Sequence, residues 1–376
     1  MKLTEEKDMR AHYDVLIMGA GPGGCMAART LSDAGFRVLL TEKDRIPRDK
    51  PCGGFLSPEA VRLIEDSFGP IPEECKASPA TISGARLLCE GGGQYELPFS
   101  GAGLSVLRSR LDAFLSAGCG VEVLDGCMVE EFLAQRFNVR AHLDREGEEE
   151  MVESTYLIGA DGADSLALRL LRPEFHRLYA APKLERTMLV LCAGEIDWDP
   201  EWVGFALMRR GMGIARFFVK GDIVGLAINH DASKGWREGM DGLTAFLGEK
   251  VGLRLRDDPI RQATSSNRMA AGGHYNLGAG CALLVGEAAG LLDPWGFGIH
   301  LALESGYIAA DTLIESAGES ITPHLRYRYR MQEALERETR QRRDVAATVG
   351  DLDASSLARG RTARRDRRAL RRRFSK

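Results

Sequence analysis

Hydrophobic positions along this chain follow two rhythms. Short, mainly apolar runs of strand length occur at Val15–Met18, Phe36–Leu40, in the segment that opens at Leu157, and at Cys281–Val285. Such runs predict strands of a parallel sheet covered on both faces. Residues 80–107 alternate instead in strand fashion, VEVL and FNVRAHL also read as strands, and Met188–Ile196, Gly213–Val219 and Ile223–Asn229 predict antiparallel strands of a second sheet. Helical spacing appears after Gly24, with small Ala28 facing inward and Leu31 on the same side, and again over Leu111–Ala117, Trp236–Val251 and Ile299–Ser316. Ser57-Pro58 reads as the cap and first turn of a short helix to about Ser67. The stretch KDRIPRDKPCGGFLSPE between them, with Pro47, Pro51 and Gly53-Gly54, predicts a linker without regular structure. The order implies an α/β chain. Residues 10–80, 100–180 and 270–320 would form one discontinuous domain, with a β-rich lobe inserted from 80–100 and 180–270 and a helical end at 321–376.

The opening unit carries chemistry. Gly19, Gly21 and Gly24 stand in GxGxxG spacing between the first apolar run and the first helix, in the sequence Gly19-Ala20-Gly21-Pro22-Gly23-Gly24. The first glycine suits a tight turn, the second a close backbone approach to a pyrophosphate, and the third close packing of helix on strand. A helix start adds free N–H groups and the positive end of its dipole. Glu42, 21 residues after Gly21 and followed by Lys43, stands where a carboxylate accepts hydrogen bonds from an adenosine ribose. An ordinary glycine-rich turn leaves Glu42 unexplained, so the unit predicts a dinucleotide site. No second such motif exists: Gly211-Met212-Gly213, Gly278-Ala279-Gly280 and Gly296-Phe297-Gly298 lack the third glycine. A nicotinamide would therefore bind without a Rossmann domain of its own.

Composition changes the picture little until the end of the chain. The 376 residues are 44% hydrophobic and 28% charged, with a formal net charge of −4, and the length suggests two packed lobes. Arg359–Lys376 carries ten basic residues against Asp366, a local +9 that leaves about −13 on the rest. That run reads either as a solvated end or as an attachment to an anionic membrane surface, with nucleic acid not favoured. The start MKLTEEKDMR has no apolar core of a signal peptide, and no apolar stretch reaches the ~18 residues of a transmembrane helix. The eight cysteines (25, 52, 75, 89, 119, 127, 192 and 281) show no CxxC pair and no metal-ligand spacing with histidine. Together these features predict a cytoplasmic protein with reduced thiols and no metal, peripheral at the inner membrane face if the tail attaches.

Three further motifs narrow the cofactor. Leu157–Ser165 is LIGADGADS, with Asp161-Gly162 in its turn. Gly286-Glu287-Ala288-Ala289-Gly290 precedes Pro294-Trp295-Gly296-Phe297-Gly298-Ile299, and Arg108 opens R-x-x-x-D-x-x-L. With the opening unit, these resemble the flavoprotein superfamily of para-hydroxybenzoate hydroxylase, flavin-dependent halogenases and geranylgeranyl reductases. That resemblance implies a Rossmann-like FAD-binding domain with an inserted β-sheet-rich substrate domain. It also implies FAD contacts at Arg108, at the backbone of Val129, at Asp161 and Gly162, at Gly286 and Glu287, and at Gly298 and Ile299. A helix starting near Gly298 would stabilise an anionic reduced flavin.

Lys50-Pro51-Cys52-Gly53-Gly54 is similar to the KPCGG of the geranylgeranyl reductases, whose cysteine loop lies beside the flavin. In this reading Cys52 is a catalytic candidate and, with Gly53, a cofactor contact. Two roles stay open for it, proton donor and pocket wall, against the plain alternative of an inert buried thiol. The resemblance implies reduction of C=C bonds in an apolar, prenyl or lipid-like substrate by hydride transfer from reduced flavin. The electron donor stays open among nicotinamide, ferredoxin and quinol. Oxygen-dependent monooxygenation or halogenation of an aromatic group is the alternative, and FAD-mediated electron transfer to quinone a third.

This chain also departs from the family. Glu287 replaces an aspartate, Arg169 stands one place beyond the family's arginine position at Leu168, and the prenyl-contacting Y-x-W-x-F-P aligns on Ile214–Val219, where only Phe218 matches. Trp202, Phe205, Phe217 and Phe218 would line an apolar pocket, or simply fill a core. Trp295 and Phe297 divide in the same way, and His300 reads as a helix histidine or a substrate contact.

Overall fold

The computed structural model describes residues 12–90, 93–208, 214–230, 235–256, 259–267 and 269–357. Gly211–Gly213 and the basic tail from Arg359 lie outside the described residues.

The apolar runs form the first sheet. Its strands lie in the order Gly278–Ala279, Ala282–Leu284, Glu148–Gly159, His12–Met18, Val38–Glu42 and Glu122–Asp125. All neighbours after the first pair are parallel, with Leu16 opposite both Leu39 and Leu157. Val15, Leu16, Ile17, Leu39 and Leu157 are 0% exposed, which explains why these strands are continuously apolar rather than alternating. Helices Pro22–Asp33, Arg108–Gly118 and Ile299–Ser316 cover this sheet, and the antiparallel ribbon Cys127–Gln135 with Asn138–Arg145 joins it through Glu148–Gly159.

Two helices cross at a distance that only glycine permits. A Cβ on Gly306 would stand 2.2 Å from the Gly23 carbonyl oxygen, and one on Gly23 would stand 2.8 Å from that of Ala302. The crossing seats the start of the first helix against Ile299–Ser316, so two segments far apart in sequence meet at one place.

The second sheet has nine strands, in the order Arg254–Leu255, Leu184–Glu195, Ile223–His230, Ile214–Lys220, Trp202–Leu207, Lys76–Cys89, Gln94–Val106 and Phe55–Leu56, with Ile260–Asn267 also paired to Leu184–Glu195. The linker is therefore not wholly irregular: Phe55 and Leu56 pair with Ser105 and Leu104 and tie the Cys52 loop to this sheet. One face packs Phe217, Leu226 and Ile228 against Met240, Leu243 and Leu247 of helix Arg237–Val251. The other packs Phe55, Leu189, Phe205 and Phe218 against Trp295 and Phe297. The expected four-residue aromatic pocket is thus divided. Consecutive strand residues point to opposite faces, so Phe217 and Trp202 belong to the helix-covered side and only Phe205 and Phe218 face the first domain. Each phenyl ring of the pair lies on a glycine: a Cβ on Gly204 would stand 2.2 Å from Phe217, and one on Gly225 would stand 2.1 Å from Phe218.

The chain continues through helices His324–Arg330 and Gln332–Leu357. Tyr327, 0% exposed, fixes them by donating its hydroxyl hydrogen to the Leu284 carbonyl at 3.1 Å. No helix of the described residues is long and apolar enough to cross a membrane.

Candidate functional site

A groove of about 740 Å³ runs past the glycine turn. Gly19 takes φ +102°, and its N–H donates to the Thr41 carbonyl at 2.7 Å, which joins the first two strands at the turn. Gly21 caps helix Pro22–Asp33 with no side-chain partner, and a Cβ placed on it would meet nothing within 4 Å. The groove floor at Gly21 is thus open space beside the free N–H groups of the helix start, with Gly23 against the second helix. Gly24 serves packing: a Cβ there would stand 1.9 Å from the Gly19 carbonyl oxygen.

Glu42 is held in place rather than left free. Its Oε2 accepts from Ala20 N–H at 3.1 Å and its Oε1 from Asp44 N–H at 3.2 Å. Arg48 Nη2 stands 3.3 Å from both Glu42 Oε2 and Asp112 Oδ2, and Arg108 binds Asp112 through two bonds of 2.9 Å. Arg108 is thus inside its helix, in the first turn, not before it as the pattern Leu111–Ala117 suggested. Lys43 is exposed on the groove, and Val129 lines it where the Cys127–Gln135 strand shifts register against its neighbour. Arg169, from helix Leu166–Leu171, also reaches the groove, while Leu168 is fully buried.

Asp161 lies on the same groove, and each of its oxygens accepts a hydrogen bond from its own chain. Oδ1 accepts from the Ser165 hydroxyl at 2.6 Å and Oδ2 from Ala167 N–H at 2.9 Å, so its carboxylate fixes the start of helix Leu166–Leu171. Burial raises its pKa, and these bonds oppose the rise. Gly162, at φ +83°, leaves open space beside it.

The groove opens into a smaller chamber of about 170 Å³; Gly21, Lys50, Pro51, Ala160, Gly162 and Glu287 line both. One wall is the Lys50–Phe55 loop with Arg108; another is Gly286-Glu287 with Gly296–Ile299; the floor is Leu189, Val203, Phe218 and Ala227 of the second sheet. Gly298 caps helix Ile299–Ser316 without a side-chain partner, so the N–H groups of Ile299 and its neighbours start at the chamber wall. Gly53 and Cys52 line the chamber as well.

Cys52 is exposed by surface area, the only one of the eight cysteines that is, yet the surface it shows is the inside of the chamber. Its Sγ accepts from Gly54 N–H at 3.3 Å. Burial alone would raise its pKa, but the Arg108 charge, the bonds from Gly54 and Arg108, and Lys50 outweigh burial and lower it. Lys50 is shifted down chiefly by burial and then by Arg108, while Glu287 is shifted up by burial against the pull of Lys50, Arg108 and Arg216. Burial also lowers His300.

Behind the Gly296–Ile299 wall lies a carboxylate that sequence reasoning passed over. Asp293 Oδ1 accepts from Trp295 N–H at 2.9 Å and Phe297 N–H at 2.6 Å, which shapes the turn. Helix Gln332–Leu357 reinforces it, because Arg342 donates to the Leu292 carbonyl and pairs with Glu338 at 2.9 Å. Burial pushes Asp293 up to about 7, and Glu338 likewise to about 7. A carboxyl raised in the folded state stabilises it below the unfolded pKa, and that contribution disappears as pH rises through the folded value. Thermal stability should therefore fall between about pH 4 and pH 7 in part through this pair. Asp293→Asn keeps an oxygen for both N–H groups, so melting temperatures recorded at pH 5 and pH 8 should differ less in the variant than in the parent.

The groove and chamber suit FAD. Gly21 leaves room where a side chain would intrude, two helix starts offer uncapped N–H groups, and Arg48 Nε is buried beside Glu42 without a hydrogen-bond partner. The chain is an FAD-dependent oxidoreductase: the FAD binding domain family matches residues 12–210, and the chain belongs to that family. Among its relatives, the digeranylgeranylglycerophospholipid reductase of Methanospirillum hungatei is 28% identical over 330 residues, covering 81% of this chain and 76% of the relative. A geranylgeranyl bacteriochlorophyll reductase-like structure from Thermoplasma acidophilum has a TM-score of 0.70 at 22% identity, covering 90% of this chain and 87% of that one. The myxobacterial chondrochloren halogenase CndH has the same fold, with a TM-score of 0.67 at 18% identity over 97% of this chain and 90% of that one.

Lys50, Arg48, Asp112, Asp293 and Lys220 are the site residues that motif reading left without a role. Asp112 was visible as the acid of R-x-x-x-D-x-x-L and Lys50 as the first residue of the KPCGG segment; Arg48, Asp293 and Lys220 carry no local pattern and are placed only through the fold.

Proposed function

We propose that this protein reduces C=C bonds of an apolar, prenyl or lipid-like substrate. One observation carries the reading: the Lys50–Gly54 loop puts Cys52 in a chamber whose other walls are the Gly286-Glu287 and Gly296–Ile299 turns and whose floor is apolar. Reduced FAD, held by the groove residues, would supply the hydride. The apolar floor of Leu189, Val203 and Phe218 holds the alkene and excludes water, and the uncapped start of helix Ile299–Ser316 favours negative charge at the wall beside it. Cys52 lies on the side of the chamber from which a proton can come. The named activity of the Methanospirillum relative agrees with this substrate class.

The test is anaerobic. Protein reduced with dithionite and mixed with polyprenyl lipids should reoxidise its flavin and return a product heavier by two hydrogens per bond saturated. Reoxidation and product formation that require oxygen, with an aromatic acceptor modified instead, would overturn the reading.

A further inference from the structure

Helix His324–Arg330 has an inner and an outer side. Tyr327 and, just past the helix end, Met331 are 0% and 1% exposed and hold it to the core. Leu325 and Tyr329, four residues apart and so on one side, are 58% and 77% exposed, and Ile321, just before the helix, is 67% exposed. Tyr329 and Ile321 are the two most exposed large apolar side chains of the described residues, and the fold has no use for them in that place. Leu325, Arg328 and Tyr329 line an open cleft of about 720 Å³ together with Thr339, Arg340 and Arg343 of helix Gln332–Leu357. Arg326 and Arg330 on the first helix are neutralised, by Glu319 at 3.0 Å and Glu315 at 3.1 Å. Arg328, Arg340 and Arg343 pair with no carboxylate among the described residues, and the one carboxylate lining the cleft, Glu336, accepts from Gln332 at 3.0 Å.

We propose that this cleft docks the protein on an anionic membrane surface, with Arg328, Arg340 and Arg343 against lipid phosphates and Leu325 and Tyr329 entering the boundary between headgroups and acyl chains. The mixture of side chains decides the occupant. Arginines whose stems lie along apolar surface, beside a leucine and a tyrosine that can keep its hydroxyl in water, suit a lipid interface. A second copy docked about a two-fold axis would set the same three arginines against their own kind. The chain's own end cannot fill the cleft either: Arg359–Lys376 carries ten basic residues against Asp366, and like charges repel. That same run begins two residues after helix Gln332–Leu357 ends, and it adds to the attraction toward anionic lipid. The proposal stands apart from the alkene-reduction reading, since none of these cleft residues lines the coenzyme groove or the Cys52 chamber.

The experiment floats the flavin-loaded full chain with vesicles of phosphatidylcholine alone, or of phosphatidylcholine and phosphatidylglycerol in equal parts. The protein should rise with the anionic vesicles, stay behind with the neutral ones, and come off as salt is raised. Replacing the three arginines together, Arg328→Gln with Arg340→Gln and Arg343→Gln, should lower the partition coefficient at least about tenfold. Leu325→Ser with Tyr329→Ser should lower it by roughly tenfold at unchanged charge. Flavin absorbance equal to that of the parent shows that each variant is folded. A single change, Tyr329→Trp, gives a reading that needs no loss of binding: its emission should be quenched by lipids brominated on their acyl chains, over and above any quenching in the parent. Unchanged partitioning in both multiple variants would assign attachment to residues 359–376 alone and overturn the proposal. Equal binding to neutral vesicles would overturn the anionic surface as occupant. A parent dimer that the variants dissolve, with no vesicle binding, would give the cleft to a second copy and overturn it as well.

Discussion

Replacing Gly24 with alanine should yield protein that purifies without its yellow colour. The added methyl would stand 1.9 Å from the Gly19 carbonyl oxygen, and 3.1 Å from the carbon that bears it. Both atoms belong to backbone, so no side chain can rotate away. Either helix Pro22–Asp33 lifts or the glycine turn opens, and each movement takes the N–H groups of the helix start away from the pyrophosphate. Overpacking of this kind costs about 1–3 kcal/mol, and its whole effect falls on the cofactor cradle. Absorbance at 450 nm per chain should drop at least about tenfold, the equivalent of ~1.4 kcal/mol in binding. Alanine at Gly35, where the open turn leaves nothing within 4 Å, meets no such clash, though its φ of +81° adds some strain. Equal colour in Gly24→Ala and the parent would refute the close-contact account.

Arg108→Met should be the most destabilising single change in the charged cluster. Arg108 and Asp112 are 8% and 1% exposed and bind each other through two bonds of 2.9 Å. Removing only the cation leaves Asp112 with Arg48, itself shared with Glu42. Breaking a buried pair from one side costs about 3–5 kcal/mol. Removing both charges, as in Arg108→Met with Asp112→Leu, should recover most of that stability, because the cost comes from the stranded carboxylate. Urea unfolding of the three proteins decides it; a double variant less stable than Arg108→Met would contradict the stranded-charge account. The same single change removes the cation that most lowers Cys52, so its thiol should also label more slowly at pH 7.

What could be read from the sequence followed the distance over which each interaction acts. Gly19, Gly21, Gly24 and Glu42 lie within one strand–helix–strand unit, where spacing alone fixes their relation. The turns at Asp161, Glu287 and Gly298 were legible as motifs, and the structure brings the last two to the Cys52 loop through the Gly23–Gly306 crossing. Asp161 shows the limit of such reading. A motif marks that an acid is present but not whether its oxygens face a groove or a neighbouring hydroxyl, and here they hold Ser165 and Ala167. The aromatic residues divide for a simpler reason: Phe217 and Phe218 are adjacent in a strand, and no pattern of apolar residues tells which face a helix will cover. Lys220 had no signal at all, because its neighbours Val106, Phe55 and Gly54 come from the far edge of the sheet.

The Phe218 ring lies against Gly225, and both belong to the inserted sheet rather than to the glycine turn, Glu42 or Arg48. Shaving that ring would deepen the chamber while leaving the glycine turn, Glu42 and Arg48 untouched, and a bulkier residue at position 225 would push the ring upward and make it shallower. The depth of the chamber is thereby set on a different piece of chain from the glycine turn, Glu42 and Arg48. Lineages, or engineers, can retune the one without disturbing the other.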